Sequence, residues 1–320
     1  MKAIVYDNYG PPKVLQLKEI EKPKPKDDEV LVKVHSVSLN SSDWEFLTGS
    51  PAYVRMWGLF KPKYKILGSD IAGKVETIGK DISEFQPGDE VFGDIMYSYG
   101  GFAEYVCVKE DLLMRKPESM TFEEIAALPQ AATVALQGLR DKGQIKTGQK
   151  VLINGAGGST GTFAVQLAKY FGAEVTGVDT AKKLDLMRSI GADHVIDYTS
   201  EDFTQNGKHY DLILDVKGTR SVFDFKRALS PKGNYVMLGG PVPRILQALF
   251  WGPLISLIES KKMGILAHNQ NKKDLAFMIE LFEAGKVKPV IDRCFPLKDT
   301  ANALLYLGEG LALGKVVVTV

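Results

Sequence analysis

Residues 150–179 read KVLINGAGGSTGTFAVQLAKYFGAEVTGVD, and this stretch decides the fold. The apolar run at 151–153 predicts a buried strand of a parallel sheet, and the apolar residues of 163–169 recur at helical spacing. Residues 174–178 predict a second strand, and Asp179 stands at its end. The order strand, glycine-rich turn, helix, strand and acidic residue is typical of a βαβ unit that binds a dinucleotide.

The glycines of this turn leave the space that a pyrophosphate group needs. The N-terminus of a helix offers unpaired N–H groups and a favourable dipole to negative charge, but the backbone must come close to the ligand. Gly155, Gly158 and Gly161 carry no side chain that would prevent this approach. Asp179 follows Gly161 by 18 residues, close to the spacing of about 20 for an acid that binds ribose hydroxyls. The alternative is a tight turn that binds no ligand.

Length and composition restrict the class of protein. The chain has 320 residues, which favours two domains. A net charge of +1 lacks the excess of positive charge that is typical of proteins that bind nucleic acid. No apolar stretch is long enough to span a membrane, and the N-terminus lacks the apolar core of a signal peptide. Cys107 and Cys294 are the only cysteines, so we expect a reducing, cytoplasmic location.

The predicted elements change character along the chain. Residues 1–118 are rich in short strands and glycine turns, which predicts a barrel-like domain. From residue 121 onward strands and helices alternate, which predicts a doubly wound parallel sheet. Residues 245–258, ILQALFWGPLISLI, are strongly apolar but number only 14, whereas a membrane span needs about 20. We predict a buried helix pair there, at a subunit interface or over the active-site cleft, with membrane-surface insertion as the alternative.

Four motifs connect these parts to a known family. They are Leu67-Gly-Ser-Asp-Ile-Ala-Gly73, Pro87-Gly-Asp-Glu-Val-Phe-Gly93, Gly100-Gly-Phe-Ala-Glu-Tyr105 and Leu128-Pro129. With the glycine turn, they make the chain resemble the medium-chain dehydrogenase/reductase superfamily over essentially its full length. The resemblance implies an α/β protein with a GroES-like β-barrel domain plus a Rossmann doubly wound parallel sheet domain. It assigns residues 1–122 and 267–320 to the first domain and 123–266 to the second, and it implies a homodimer whose partner is a small-molecule substrate.

The ligand positions of the zinc-dependent members differ in this chain. By resemblance, Asn40 stands where the first zinc-binding cysteine would be, and Ser69 stands where the histidine would be. A catalytic zinc needs about three nitrogen, sulfur or carboxylate ligands, and Asp43 and Asp70 alone do not supply them. The resemblance therefore places the chain near the zinc-free quinone and enone oxidoreductases, with no metal.

Such enzymes transfer a hydride from NAD(P)H to a quinone or to an α,β-unsaturated carbonyl compound, while the carbonyl oxygen takes up negative charge. By resemblance, Asn40 and Asp43 line the cleft, and Tyr53 in the irregular loop at 48–65 is a candidate proton donor. The alternatives are a capping role for Asn40, a first-turn role for Asp43 and a packed or exposed Tyr53. An enoyl-thioester reductase and a non-catalytic nucleotide-binding or interaction protein are the competing functions.

The cofactor preference follows from opposing charges. The candidate cofactor-binding residues are Thr133, Gly155, Gly157, Gly158, Ser159, Thr160, Gly161, Asp179, Lys182, Lys183, Tyr198, Leu238, Gly239 and Gly240. Asp179 would repel a 2′-phosphate by about 4 kcal/mol at 4 Å and an effective dielectric constant near 20. Lys182, Lys183 and Tyr198 resemble residues that receive this phosphate, although such lysines are also common at a solvated helix start. We expect a slight preference for NADH, with use of both cofactors as the alternative.

Overall fold

The computed structural model describes residues 1–320 as strands, helices and short connections. The strands are β1 (Lys2–Val5), β2 (Gln16–Glu19), β3 (Glu29–Ser38), β4 (Asp70–Ile78), β5 (Glu90–Asp94), β6 (Tyr105–Lys109), β7 (Met114–Arg115), β8 (Lys150–Asn154), β9 (Glu174–Asp179), β10 (His194–Asp197), β11 (Tyr210–Asp215), β12 (Leu229–Met237), β13 (Lys262–Ile265), β14 (Ile291–Pro296) and β15 (Lys315–Thr319). The α-helices are α1 (Ser41–Thr48), α2 (Phe122–Ala126), α3 (Pro129–Gln137), α4 (Ser159–Tyr170), α5 (Leu184–Ser189), α6 (Val222–Ala228), α7 (Val242–Ile258), α8 (Lys272–Glu283) and α9 (Thr300–Gly308).

The chain forms two compact units, which we call unit 1 and unit 2. Unit 1 contains Met1–Gln130 and Ile291–Val320, and unit 2 contains Ala131–Val290. The resemblance implied a return to the first domain near residue 267, but the chain returns only at residue 291. Helix α8, which lies beyond residue 267, is held within unit 2. Its Asp274 accepts hydrogen bonds from Gln137 Nε2 and Arg140 Nη2 of the same unit, each at 2.7 Å.

Unit 1 is organised around β3. The order of its seven-stranded sheet is β14-β15-β3-β4-β5-β7, and β6 also pairs with β3. Three strands, β15, β4 and β6, pair with β3, and most of its residues are buried. The predicted GroES-like β-barrel is confirmed.

Unit 2 contains a six-stranded sheet in which every neighbouring pair is parallel. The strand order is β10-β9-β8-β11-β12-β13. The order reverses between β8 and β11, and open α/β sheets bind ligands beyond the carboxyl ends of the strands at such a reversal. The predicted Rossmann sheet is confirmed, and the glycine turn follows β8 at this point.

Helix α7 corrects the prediction of a helix pair, because it is one continuous helix that passes through Pro253. Within the chain only Ala248, Gly252 and Ile255 of its residues are buried, and burial of its other face at a subunit interface stays a prediction. Gly252 lies against the backbone of Met263 in β13, so the short side chains of this face permit close packing on the sheet. Ile245 also packs against the core of unit 2, whereas Leu246, Leu249, Phe250, Leu254, Leu257 and Ile258 are exposed. No helix of the protein combines the length and the apolar character needed to cross a bilayer.

Candidate functional site

The glycine turn connects the end of β8 to the start of α4. The N–H groups of Gly155 and Ala156 donate to Val178 O at 2.8 and 3.1 Å, which fixes the turn against β9. Gly155 has φ of +89°, a conformation that glycine adopts without steric cost. Gly158 is the N-cap of α4, so the first turn of this helix begins directly after the glycines.

The three later glycines have different roles. A Cβ at Gly161 would collide with the backbone of Gly155 and Ala156, and a Cβ at Gly157 would lie 2.7 Å from the Lys183 side chain. The chain itself therefore requires these two glycines. At Gly158 the nearest atom to an added Cβ is Gly155 O at 3.6 Å, an ordinary contact. The space beside Gly158 is open, and its position at a helix N-terminus fits a phosphate group.

Asp179 is buried below the turn. Its Oδ2 accepts a hydrogen bond from Gly157 N at 3.0 Å, and its Oδ1 accepts one from Thr180 N at 2.9 Å. Lys183 Nζ lies 3.9 Å from Asp179 Oδ1. Lys183 is only 4% exposed, so the alternative of a solvated lysine is wrong for this residue. Lys182 and Tyr198 are exposed.

A second buried carboxylate, which the sequence analysis did not identify, lies at the strand reversal. Asp215, the last residue of β11, accepts hydrogen bonds from Asn154 Nδ2 at 2.8 Å, Gly218 N at 2.9 Å and Tyr235 OH at 2.8 Å. Burial raises the pKa of Asp215, and these hydrogen bonds oppose the increase. Its sequence signal is an apolar strand that ends in an acid, the same signal that identified Asp179.

The other predicted cofactor residues lie at two places in unit 2. Gly239 and Gly240 follow β12 and contact Gly218, close to the end of β11. Leu238 N donates to Asp215 O at 2.9 Å. Thr133 is buried in α3, and its Oγ1 lies 3.0 Å from His268 Nε2. The glycine pair is thus adjacent to Asp215, whereas Thr133 is held by His268.

The candidate catalytic residues Asn40 and Asp43 form the N-terminal cap of α1. Asp43 Oδ2 accepts from Asn40 N at 2.8 Å, and its Oδ1 accepts from Gly68 N at 2.9 Å. Burial raises the pKa of Asp43 to about 7, although both backbone hydrogen bonds oppose the increase. These contacts support the two alternatives given above, a capping role for Asn40 and a first-turn role for Asp43.

Tyr53 lies in a short 3₁₀ turn, Ala52–Trp57, within the loop that was predicted to be irregular. It is 39% exposed, and its hydroxyl donates to Glu45 Oε2 at 3.2 Å. Partial burial, followed by the nearby Glu45 charge, raises the pKa of Tyr53 to about 12. The phenol therefore keeps its proton at neutral pH, and it bonds to Glu45 rather than to Asn40 or Asp43.

The residues at the expected zinc-ligand positions bind one another and a lysine. Lys315 Nζ donates to Asn40 Oδ1 at 2.8 Å, and Asn40 Nδ2 donates to Ser69 Oγ at 3.2 Å. A catalytic zinc needs about three nitrogen, sulfur or carboxylate donors. Here the amide oxygen is bound to an ammonium group and the hydroxyl to an amide, so this donor set does not fit zinc.

Comparisons with known proteins identify relatives along the whole chain. Residues 26–118 match the family described as alcohol dehydrogenase GroES-like domain, and residues 190–318 match the family described as zinc-binding dehydrogenase. A 2-methylene-furan-3-one reductase from Solanum lycopersicum is 34% identical, over 99% of this chain and 79% of the relative. A chloroplastic NADPH-dependent alkenal/one oxidoreductase from Arabidopsis thaliana has the same identity and coverage. The structure of the quinone oxidoreductase from Coxiella burnetii matches with a TM-score of 0.89 at 29% identity, over 100% of this chain and 99% of that one.

Proposed function

Since the chain belongs to the medium-chain dehydrogenase/reductase superfamily, in its zinc-free quinone and enone oxidoreductase branch, we propose that it is a zinc-independent oxidoreductase. It transfers a hydride from NAD(P)H to a quinone or to an α,β-unsaturated carbonyl compound. The observation that carries the proposal is the open space at Gly158, directly before α4, in a Rossmann sheet. The relatives named for quinone and enone reduction support the substrate class.

The residues of unit 2 bind and orient the cofactor. When bound, the nicotinamide supplies the hydride. The first turn of α4 faces the phosphate groups with its N–H groups, and Gly158 lets the backbone approach them. Each oxygen of Asp179 accepts one backbone hydrogen bond and retains a lone pair for a ribose hydroxyl.

Reduction of a conjugated carbonyl also needs a proton. Tyr53 is the proton donor within the proposal, because its side chain is partly exposed and its hydroxyl carries a proton. Its raised pKa makes it a weaker acid than a free phenol, which suits transfer only to a strongly basic enolate. Glu45, which accepts the Tyr53 hydrogen bond, holds the phenol in one direction. Solvent water is the competing source, and a Tyr53→Phe variant with unchanged kcat would favour water.

A slight preference for NADH is part of the proposal, with NADPH as a second cofactor. Asp179 supports NADH because a carboxylate repels a 2′-phosphate. The Lys183 ammonium at 3.9 Å reduces this repulsion, and the exposed Lys182 and Tyr198 remain accessible to a phosphate. The preference is therefore small.

The test of the proposal is a panel of quinones, enones and enoyl thioesters, assayed by oxidation of NADH and of NADPH. We expect turnover of simple enones or quinones that persists after exhaustive chelation. Activity that falls with zinc content and returns when zinc is added would contradict zinc independence. Cofactor binding without oxidation of either nicotinamide by any acceptor would favour the non-catalytic alternative.

We also propose a homodimer in the cytoplasm. The outward face of α7 supports the dimer, since Leu249, Phe250 and Leu257 are 55%, 71% and 84% exposed and Arg244 is the only charged residue of the helix. Large exposed apolar patches on a protein often mark interaction sites. The two free thiols support a reducing compartment.

A further inference from the structure

The loop at 51–68 of unit 1 combines exposed apolar side chains with an excess of positive charge. Its sequence, PAYVRMWGLFKPKYKILG, contains four basic residues and no acid. Met56, Trp57, Leu59 and Phe60 are 83%, 42%, 65% and 88% exposed. Exposed apolar side chains that are grouped in this way mark an interaction site more often than chance placement would.

Contacts with the rest of unit 1 fasten the loop. Tyr9 OH donates a hydrogen bond to Gly58 O at 2.7 Å. The Trp57 ring meets the Phe46 ring edge to face, with the ring centroids 6.0 Å apart. Val54 is buried. The backbone and one side of Trp57 are therefore held in place, and a partner that binds the exposed side chains does not first have to order the loop.

The positive charges of the loop are mostly not neutralised within the chain. Lys65 forms an ion pair with Asp7 Oδ1 at 3.2 Å. Glu45 also contacts the loop, but it accepts a hydrogen bond from the Tyr53 hydroxyl. No carboxylate pairs with the other three basic residues, which are exposed: Arg55, Lys61 and Lys63.

This charge distinguishes the loop from the exposed face of α7. Arg244 is the only charged residue of that helix, which fits a face covered by a second copy of the chain. At the loop, aromatic and aliphatic side chains stand next to several cations. Tryptophan and other apolar side chains enter the interface of a bilayer, while Lys and Arg are attracted to anionic headgroups. The composition of the loop therefore matches a membrane surface that carries negative charge.

We infer that the loop at 51–68 docks the protein on the surface of a bilayer that contains anionic lipids. Trp57, Leu59 and Phe60 enter the boundary between headgroups and acyl chains, and the unpaired basic residues of the loop contact the headgroups. An apolar quinone dissolves in the same bilayer, so docking brings the enzyme to the source of such a substrate. That consequence rests on the proposed function, whereas the docking itself does not.

The first experiment measures vesicle binding by sedimentation, without cofactor or substrate. The probe is a vesicle of phosphatidylcholine and phosphatidylserine in equal parts, compared with phosphatidylcholine alone. Each basic residue near an anionic surface contributes roughly fivefold, so Lys61→Gln/Lys63→Gln should weaken binding roughly 30-fold. Lys24→Gln/Lys26→Gln is the matched control, because it changes an exposed Lys-Pro-Lys sequence of unit 1 that two acids follow. That control should keep the affinity of the unmodified protein.

Three outcomes of this experiment would overturn the inference. They are no binding by the unmodified protein, equal binding to both kinds of vesicle, and equal losses in the two double variants. None of them bears on hydride transfer, which is assayed with soluble acceptors, so a failure of the docking is distinguishable from a failure of the proposed function.

The second experiment locates the contact by tryptophan fluorescence, since the chain has three tryptophans. Trp44→Phe/Trp251→Phe leaves Trp57 as the reporter, and Trp44→Phe/Trp57→Phe leaves Trp251 in α7. We expect the emission of Trp57 to shift to the blue with the anionic vesicles and that of Trp251 to stay unchanged. Adding Phe60→Asp to the Trp57 protein should weaken binding at least roughly tenfold, because a buried phenylalanine is lost. A shift of Trp251 alone would assign the membrane contact to α7 and overturn the inference, as would no shift in either protein.

Discussion

Replacing Gly158 by valine should remove cofactor binding and leave the fold intact. Gly158 has φ of −93° and ψ of −176°, an extended conformation that every residue adopts. An added Cβ meets only Gly155 O, at 3.6 Å. The protein therefore tolerates a side chain at this position, and the new methyl groups enter the open space in which we place the pyrophosphate.

The size of the loss follows from the hydrogen bonds that the first turn of α4 offers to a phosphate. A hydrogen bond to a charged group contributes about 1.5–3 kcal/mol. A valine that prevents two of these bonds raises the binding free energy by about 3–6 kcal/mol, which corresponds to a Kd increase of roughly 10²- to 10⁴-fold. The free energy of unfolding of the apoprotein should change by less than about 1 kcal/mol, as expected for a position without a clash.

Titration calorimetry with NADH and NADPH measures the first quantity, and denaturant unfolding measures the second. Gly161→Ala is the matched control, because its Cβ collides with the backbone of Gly155 and Ala156. That variant should lose stability before it loses any specific contact with the cofactor. Unchanged cofactor affinity in a folded Gly158→Val protein would refute the placement of the pyrophosphate at this turn.

Three further predictions concern cofactor choice, assembly and pH. Asp179→Ser should shift the preference toward NADPH, mainly through KM, and an unmodified enzyme that strongly favours NADPH would contradict the role of Asp179. Phe250→Asp should shift the protein toward monomers in sedimentation experiments, whereas Phe60→Asp, at a residue that is 88% exposed in unit 1, should not; equal effects would argue against α7 as the interface. Because the pKa of Asp43 is raised from 3.8 to about 7, the native state holds a proton that the unfolded state releases. Stability should therefore fall as pH rises from 4 to 7, by up to about 4 kcal/mol. Asp43→Asn should reduce this slope in unfolding experiments across that range, and an unchanged slope would assign it to other groups.

The local elements of this protein could be predicted from the sequence because their signals are short-range. The βαβ unit at 150–179 follows from an apolar run, a glycine turn and helical spacing, all within 30 residues. The capping box at Thr121 likewise involves only neighbours in the sequence, since Thr121 Oγ1 accepts from Glu124 N and Glu124 accepts from Thr121 N in the structure. The family motifs then supplied the connection between the parts of unit 1, which periodicity alone does not contain.

Burial and partners depended on the tertiary structure. A strongly apolar helix has the same sequence pattern whether the protein buries one of its sides or all of them. The exposed face of α7 was therefore not predictable from residues 245–258. Lys183 lies in a polar stretch, yet it is buried because Gly157 leaves room for its stem beside Asp179.

Lys315 is the clearest example of a residue whose burial and partners the sequence does not predict. It begins an ordinary apolar strand, and its hydrogen bond to Asn40 joins residues 275 positions apart. The sequence determined that Asn40 and Ser69 are poor zinc ligands, because donor chemistry belongs to the residue type. Only the tertiary structure decided that an ammonium group occupies their neighbourhood, because the partner of a buried charge is set by which distant strand ends the sheet brings together.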